Sequence, residues 1–571
     1  MSGMASISIP ESHLSWNLYG QGFENLGLAG KPERVPTPHP GPDQILARID
    51  SVGICYSDVK LINQGNQHLK IAGRDLANQP TRPGHEVSFT VAAVGTSLEE
   101  DFQVGDRFAI QPEVVLNQQR QTYGFSLPGG LTQYQLIGPE LLNTDTGPSI
   151  LKLDPAFGYS EAALLEPWGS VLSSYSTNRR LTPKPGGWMW VIGNPANPLR
   201  YDFSKYSDLP ETILITGIPH DLENMIRAGG SQVERWDGIT VNNYDGFVED
   251  RTRGHGIDDI ILLDPHSSQL VSKTIKLVNP GGLVNLVGST RLDKKICLDP
   301  RRIHYQFVAL VGNSGADIAA SYGEERNRSD LLEGGTVLFI GGGGPMGQIH
   351  IQRALRMQHG PARIVITEID QQRTAVLERA FASDLQKTDK EVIVINPISQ
   401  GPGLAERIRQ ITGRSVVDDL VVLVPSTKAL KQAAELVQED SLLNLFAGTP
   451  GNVNLILDLS SVYLGNLQIT GATGLEFQHI QEAYGLALQG KIDLNFSVAA
   501  VGGMTSALDA IKAAAGRRVP GKIIIYPQLE NLSLMSLREL EAAHPTLKPF
   551  LDNGIHWSRE AEKTLLNLVA D

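Results

Sequence analysis

At 571 residues the chain exceeds what one hydrophobic core can organise and calls for about three domains. Its hydrophobic content of 41% and charged content of 19% belong to an ordinary globular protein. With 49 basic against 62 acidic side chains, a formal net charge of −13, it is excluded as a general nucleic-acid or anionic-membrane binder, which needs a basic face.

Two cysteines, Cys55 and Cys297, allow no disulfide framework beyond one bond. The N-terminus has neither a basic start nor an apolar core, and no run of about 18 apolar residues occurs. A cytoplasmic location without a membrane span is expected.

Up to about residue 185 the chain is rich in strands and turns. Gln44 to Ile49 alternates in the half-buried β manner, and Val87 to Val94 and Arg107 to Ile110 follow around a turn-rich stretch, so a compact β-domain is expected over 1–185. Ser160 to Thr177 reads as a helix. From 186 to 330, short apolar strands (Trp188 to Ile192, Thr212 to Ile215, Asp259 to Leu263) alternate with helical stretches, and 331–498 does the same more regularly. Such alternation means βαβ units around parallel sheets, an α/β fold. Residues 499–527 contain the strand Lys522 to Tyr526, and 528–571 read as a helical C-terminal extension.

The two α/β segments resemble each other. Asp258 matches Asp418, Asn285 matches Asn444 and Gly312 matches Gly471, in order, at spacings of 160 or 159 residues (418 − 258 and 471 − 312). A repeat of domain length implies a duplicated domain.

In the second copy, the strand Thr336 to Ile340 runs into Gly341 to Gly347 and then a helical run from Gln348 to Met357. Gly342, Gly344 and Gly347 have the G-x-G-x-x-G spacing, with Pro345 and Met346 between them. Glycines there let backbone approach a pyrophosphate, and the helix N-terminus supplies free N–H groups. Glu368, about twenty residues beyond, suits the ribose hydroxyls of NAD and would repel the 2′-phosphate of NADP, although Arg373 nearby keeps NADP open. The first copy has Gly193 to Pro198 at this turn, with two prolines, and no acid after its second strand. It is expected to be degenerate and to bind no nucleotide.

Cys55, the adjacent pair His85 and Glu86, and Glu166 are zinc-type donors. Each has a plain alternative: a buried small thiol, a surface Gly-His-Glu turn, and a helix-cap carboxylate. Their combination ahead of a dinucleotide motif is what favours a metal. Asp58 could take the spare ring N–H of His85, and Ser57 could begin a proton relay.

The order Cys-x-x-Asp, Gly-His-Glu, Gly105-Asp106-Arg107, Glu166-Pro167 and Gly-x-Gly-Pro-x-Gly resembles the zinc-dependent medium-chain dehydrogenases. Within them it is most similar to the sorbitol dehydrogenase branch, and Lys60 to Gly65, Tyr123 to Phe125 and Gly343 to Gly347 look closer still to sorbose-1-phosphate reductase-like members. The resemblance implies a GroES-like β-domain completed by 499–527, and a Rossmann domain. It implies Cys55, His85 and Glu86 as zinc ligands, Glu166 as an exchanging ligand, Ser57 as the relay hydroxyl, and Gly342, Gly344, Gly347 and Glu368 as nucleotide contacts. A second, cysteine-bound zinc is not expected, because Gln111 to Gly130 contains no cysteine.

The expected activity is NAD(P)- and zinc-dependent interconversion of a secondary alcohol and a ketone on a polyol, sugar or sugar phosphate, in a homo-oligomer. Lys60, His68 and Lys70 are candidates to meet a substrate phosphate. The competing readings are a zinc-independent quinone or enoyl reductase and a non-catalytic nucleotide-binding assembly protein.

Overall fold

The computed structural model describes residues 8–71, 73–176, 179–194, 200–398, 402–471 and 473–569. Three sheets dominate it. The first is an antiparallel-rich sheet of eight strands whose members come from both ends of the chain. Ile45–Ile54 lies at its centre, flanked by Glu86–Val94 on one side and Lys522–Tyr526 on the other. The late strands Val498–Gly503 and Lys522–Tyr526 thus complete a sheet begun by the first hundred residues.

This register builds the site. Gly53 pairs with Glu86, and Ile54 pairs with Ile523, so Cys55, Glu86 and Lys522 arrive at one end of three neighbouring strands. A Cβ on Gly53 would collide with the Glu86 carboxylate, so glycine is what lets that side chain lie across the strand.

The other two sheets each have six parallel strands, and numbered in chain order both run 3-2-1-4-5-6. One spans Trp188 to Asn313, the other Thr336 to Thr470. Their first strands fall at Trp188–Ile192 and Thr336–Ile340, as the apolar runs foretold.

The repeated aspartates have a shared physical role. Asp258 accepts from the Trp188 amide at 3.0 Å, and Asp418 accepts from the Thr336 amide at 2.8 Å, each tying strand four to the start of strand one. The following residues, Asp259 and Asp419, are buried and each is paired with an arginine, Arg180 and Arg328. Buried carboxylates without such partners would be expensive, which explains why both members of the pair recur. Of the first copy's turn, Pro195 to Pro198 lie outside the described residues.

The helix foretold over 160–177 is observed as Tyr159–Ser173 and carries Glu166 in its second turn. Its N-terminus is capped from the C-terminal extension. Glu562, on the helix Arg559–Val569, accepts from the amides of Tyr159 and Ser160 at 2.7 Å each and from Tyr526 Oη at 2.7 Å. Glu562 is 3% exposed, so its removal strands two buried donors, Ser160 N–H and Tyr526 Oη, and the part-buried Tyr159 amide. Glu562→Ala is expected to cost about 2 kcal/mol, measured by chemical denaturation, through the lost cap and the unpaired N–H groups.

Within the extension expected to be helical, the helix Leu537–Ala543 is preceded by Met535–Ser536, which pairs with Val498–Gly503 as an edge strand. Ser536 caps the helix, accepting from the Glu539 amide. Among the described residues no helix is long and apolar enough to cross a membrane.

Candidate metal and dinucleotide site

Cys55 is the N-cap of the helix Tyr56–Gln64, which carries Ser57 and Asp58 in its first turn. His85 follows Gly84, whose φ of 94° turns the chain into the strand that Glu86 begins. Donor atoms of Cys55, His85 and Glu86 lie within 4.8 Å of one another. Glu86 is fully buried, and its Oε2 has no hydrogen-bond partner among the described residues. A thiol, an imidazole and a buried carboxylate oxygen in need of a partner fit a divalent metal of zinc type.

The neighbours orient these donors. Ser57 Oγ donates to Cys55 Sγ at 3.0 Å and lies 3.2 Å from His85 Nε2. On the far side of the ring, His85 Nδ1 stands 3.3 Å from Asp58 Oδ1. Asp58 is itself held by the amides of Cys55 at 2.9 Å and Gly84 at 3.0 Å. Burial alone would raise the Asp58 carboxyl, but His85 and these N–H groups pull it below its ordinary range. Burial would likewise depress His85, yet Asp58 and then Cys55 outweigh it and raise the imidazole well above its usual value. Phe125 packs against the His85 ring with centroids 5.5 Å apart.

Glu166 is close enough to feel His85, Glu86 and Lys522, but it is not one of the three residues whose donors cluster. Burial pushes its carboxyl up from 4.5 to about 7, with the Glu86 charge adding to the effect and His85 and Lys522 opposing it. Between 4.5 and 7 the folded chain therefore holds more protons than the unfolded one. Stability of the metal-free protein should fall as pH rises through that window. Glu166→Gln is expected to raise its melting temperature by several degrees at pH 8 and leave it nearly unchanged at pH 5.

One contributor carries no local signal in the sequence. Lys522 is 2% exposed, and its Nζ donates to Glu86 Oε1 across 436 residues of chain. It lies in an apolar run, Lys522–Tyr526, that reads simply as a strand.

The basic residues divide. Lys70 is paired with Glu113, so its charge is largely met. Burial, followed by the charges of Lys70 and Lys60, lowers His68 to about 4, and its ring lies against Phe125. Lys60 is half-buried and has no ion-pair partner among the described residues.

At the glycine turn, Gly344 caps the helix Pro345–Arg356, with Pro345 in its first position, where a missing N–H costs nothing. A Cβ on Gly347 would collide with the Gly342 carbonyl oxygen, so the helix packs directly on the turn. Met346 is half-buried against the apolar cluster beneath. Glu368 Oε2 accepts from the Gly343 amide at 3.0 Å, and Oε1 accepts from Ile369 and Asp370 at 2.8 and 2.9 Å. Arg373 Nη1 would stand 3.7 Å from a Cβ on Gly344, beside the same turn.

Comparison with known proteins agrees with this architecture. Residues 41–142 match the alcohol dehydrogenase GroES-like domain. The chain is 27% identical over 299 residues to an L-sorbose 1-phosphate reductase of Klebsiella pneumoniae, covering 48% of this chain and 70% of that protein. It is 29% identical over 245 residues to a mannitol-1-phosphate 5-dehydrogenase of Aliivibrio fischeri, covering 41% of this chain and 57% of that protein, less than two thirds of its length. It is 40% identical over 111 residues to the sorbitol dehydrogenase of Macaca fascicularis, covering 19% of this chain and 28% of that protein. The fold is shared with 2R,3R-butanediol dehydrogenase of Bacillus subtilis at a TM-score of 0.52 and 14% identity, over 90% of this chain and 100% of that one. With a GroES-like sheet closed by its own C-terminal strands, and a six-stranded sheet of Rossmann order beside it, the chain is similar in these regions to alcohol and sorbitol dehydrogenases.

Proposed function

We propose that the protein is a zinc-dependent, NAD(P)-dependent oxidoreductase that interconverts a secondary alcohol and a ketone on a polyol or sugar phosphate. The observation that carries this reading is the convergence of Cys55, His85 and Glu86 donors within 4.8 Å, in a chain that also holds a glycine-rich dinucleotide turn. The names of the relatives, which concern sorbose 1-phosphate, mannitol 1-phosphate and sorbitol, support the substrate class.

Cys55, His85 and Glu86 would hold the metal, with Glu166 as a carboxylate able to join or leave. Zinc, when bound, supplies Lewis acidity toward an alcohol or carbonyl oxygen. Hydride transfer is the nicotinamide's own chemistry. Asp58 keeps the His85 ring in one orientation, and Lys522 holds the Glu86 carboxylate in place. Ser57 Oγ, between the thiol and the imidazole, takes the proton of the substrate hydroxyl and passes it outward. Gly342, Gly344 and Gly347 admit the pyrophosphate to the helix N-terminus. With Lys70 paired, Lys60, which has no ion-pair partner among the described residues, would meet a substrate phosphate.

NAD is the preferred cofactor in this reading, because the Glu368 carboxylate, held at the glycine turn, would accept from ribose hydroxyls and repel a 2′-phosphate. Glu368→Ser should raise KM for NAD⁺ and lower it for NADP⁺, measured as kcat/KM for both. The whole reading is tested by metal analysis of the purified protein together with a screen of NAD⁺ reduction over polyols and polyol phosphates. About one zinc per chain with turnover is expected. Turnover by a metal-free protein, or none with any polyol, would overturn it.

A further inference from the structure

The two six-stranded sheets stand edge to edge. Ala309–Asn313 ends the inserted sheet, Gln468–Thr470 ends the dinucleotide sheet, and these two last strands lie against each other. A sheet edge left open is a template on which a second chain can pair. Here each edge covers the other, and the apolar residues between them form one buried cluster. Ile296, Leu298 and Ile303 of the inserted copy share it with Leu455, Leu457 and Val462 of the dinucleotide copy.

The contacts obey a two-fold rule. Equivalent residues in this part of the repeat are 159 apart, as Gly312 and Gly471 are (471 − 312), so Ile296, Cys297 and Leu298 correspond to Leu455, Ile456 and Leu457. The strands Ile296–Leu298 and Leu455–Leu457 pair antiparallel, with Ile296 opposite Leu457, Cys297 opposite Ile456 and Leu298 opposite Leu455. The repeat exchanges the two outer pairs and maps the middle pair onto itself, so a local two-fold axis passes between Cys297 and Ile456. The rule recurs beyond the strands. The Leu292 amide donates to Ser460 Oγ at 3.0 Å, and the equivalent residues Gly451 and Arg301 also meet, where a Cβ on Gly451 would stand 2.7 Å from Arg301 Nη1. Gly312 packs on Tyr463 of the short helix Ser460–Leu464, and Gly471 packs on Ile303 of the matching helix Pro300–His304. Contact of equivalent residues in exchanged order is the mark of an isologous interface, here closed within one chain. The inserted copy also reaches the β-domain, where the Arg120 guanidinium lies over the Phe307 ring, 5.7 Å from its centroid.

We propose that the inserted copy takes the place of a second subunit. It occupies, in cis, the self-complementary edge of the dinucleotide sheet, and the full-length chain is a monomer in solution in place of the homo-oligomer expected from its sequence. A second chain could reach this edge only by displacing the inserted copy, which would open the shared apolar cluster to water. A tethered partner also acts at an effective concentration of about millimolar, well above that of free chains in a micromolar solution.

The pair on the axis supplies the test. Cys297 is exposed and Ile456 is 58% exposed, and residues directly opposite in an antiparallel pair project to one face at a separation that a disulfide can span. Ile456→Cys in the full-length chain, oxidised with diamide, therefore reports which molecule supplies the partner strand. As the S–S bond forms, the two thiols pass two electrons and two protons to diamide. An intrachain link is expected: non-reducing electrophoresis shows a single chain, and peptide mapping joins positions 297 and 456. The rate of closure should not change over about a hundredfold range of protein concentration, and sedimentation equilibrium of the parent should return the mass of one chain over the same range. Adding Cys297→Ser to the variant should abolish the link. A link between positions 297 and 456 of two different chains would mean that the copies pair between molecules, and overturns the proposal. A parent that sediments as a dimer or larger also overturns it. So does a folded Ile456→Cys protein, with both thiols open to titration, that forms no link at all.

Discussion

Cys55→Ala is expected to abolish zinc binding and, with it, NAD⁺-dependent oxidation by several orders of magnitude, while the fold persists. Catalytic zinc sites rest on three protein donors and keep the fourth position for water or substrate. Removing the thiolate leaves one imidazole and one carboxylate from the donor cluster, too few to retain the metal against buffer. The fold should survive because Cys55 is only half-buried and contributes to its helix as an N-cap, where replacement costs about 1 kcal/mol. Metal content, circular dichroism and turnover measured on one preparation separate these effects. A parent protein that turns over fully after chelation would remove the basis for the prediction.

The second large effect is expected at Lys522. Its ammonium and the Glu86 carboxylate are 2% and 0% exposed, so the pair is dry. Breaking such a pair from one side leaves an uncompensated buried charge, which costs about 3–5 kcal/mol. Lys522→Met, which keeps the length of the stem, should lower the stability of the metal-free protein by that amount in chemical denaturation. Added zinc should restore much of the loss, because the metal supplies the positive charge that Glu86 has lost. An equal loss with and without zinc would mean that Glu86 does not face the metal. Kinetically the substitution should reduce kcat/KM about 10–100-fold, the usual scale for residues that orient metal ligands.

Much of this protein is determined by sequence alone, and the reason is that those features are local. The strands Trp188–Ile192, Thr336–Ile340 and Arg363–Thr367 were legible because a buried parallel strand needs an unbroken apolar run. The glycine turn was legible because tight packing of the helix on the turn demands small residues at fixed spacing. The duplication was legible because the same aspartates perform the same anchoring in both copies. Cys55, His85 and Glu86 were legible as a donor set because two short segments contain them, with the supporting Ser57 and Asp58 in the first.

Tertiary structure alone decided the rest. Lys522 meets Glu86, and Glu562 caps the helix carrying Glu166, each from hundreds of residues away. No periodicity links such pairs; only the folding of both chain ends onto one sheet brings them together. Lys70 likewise meets Glu113, 43 residues away along the chain, a pairing that its own surroundings in sequence do not announce. A side chain's charge is written in the sequence, but what compensates that charge is settled only by the neighbours that folding supplies.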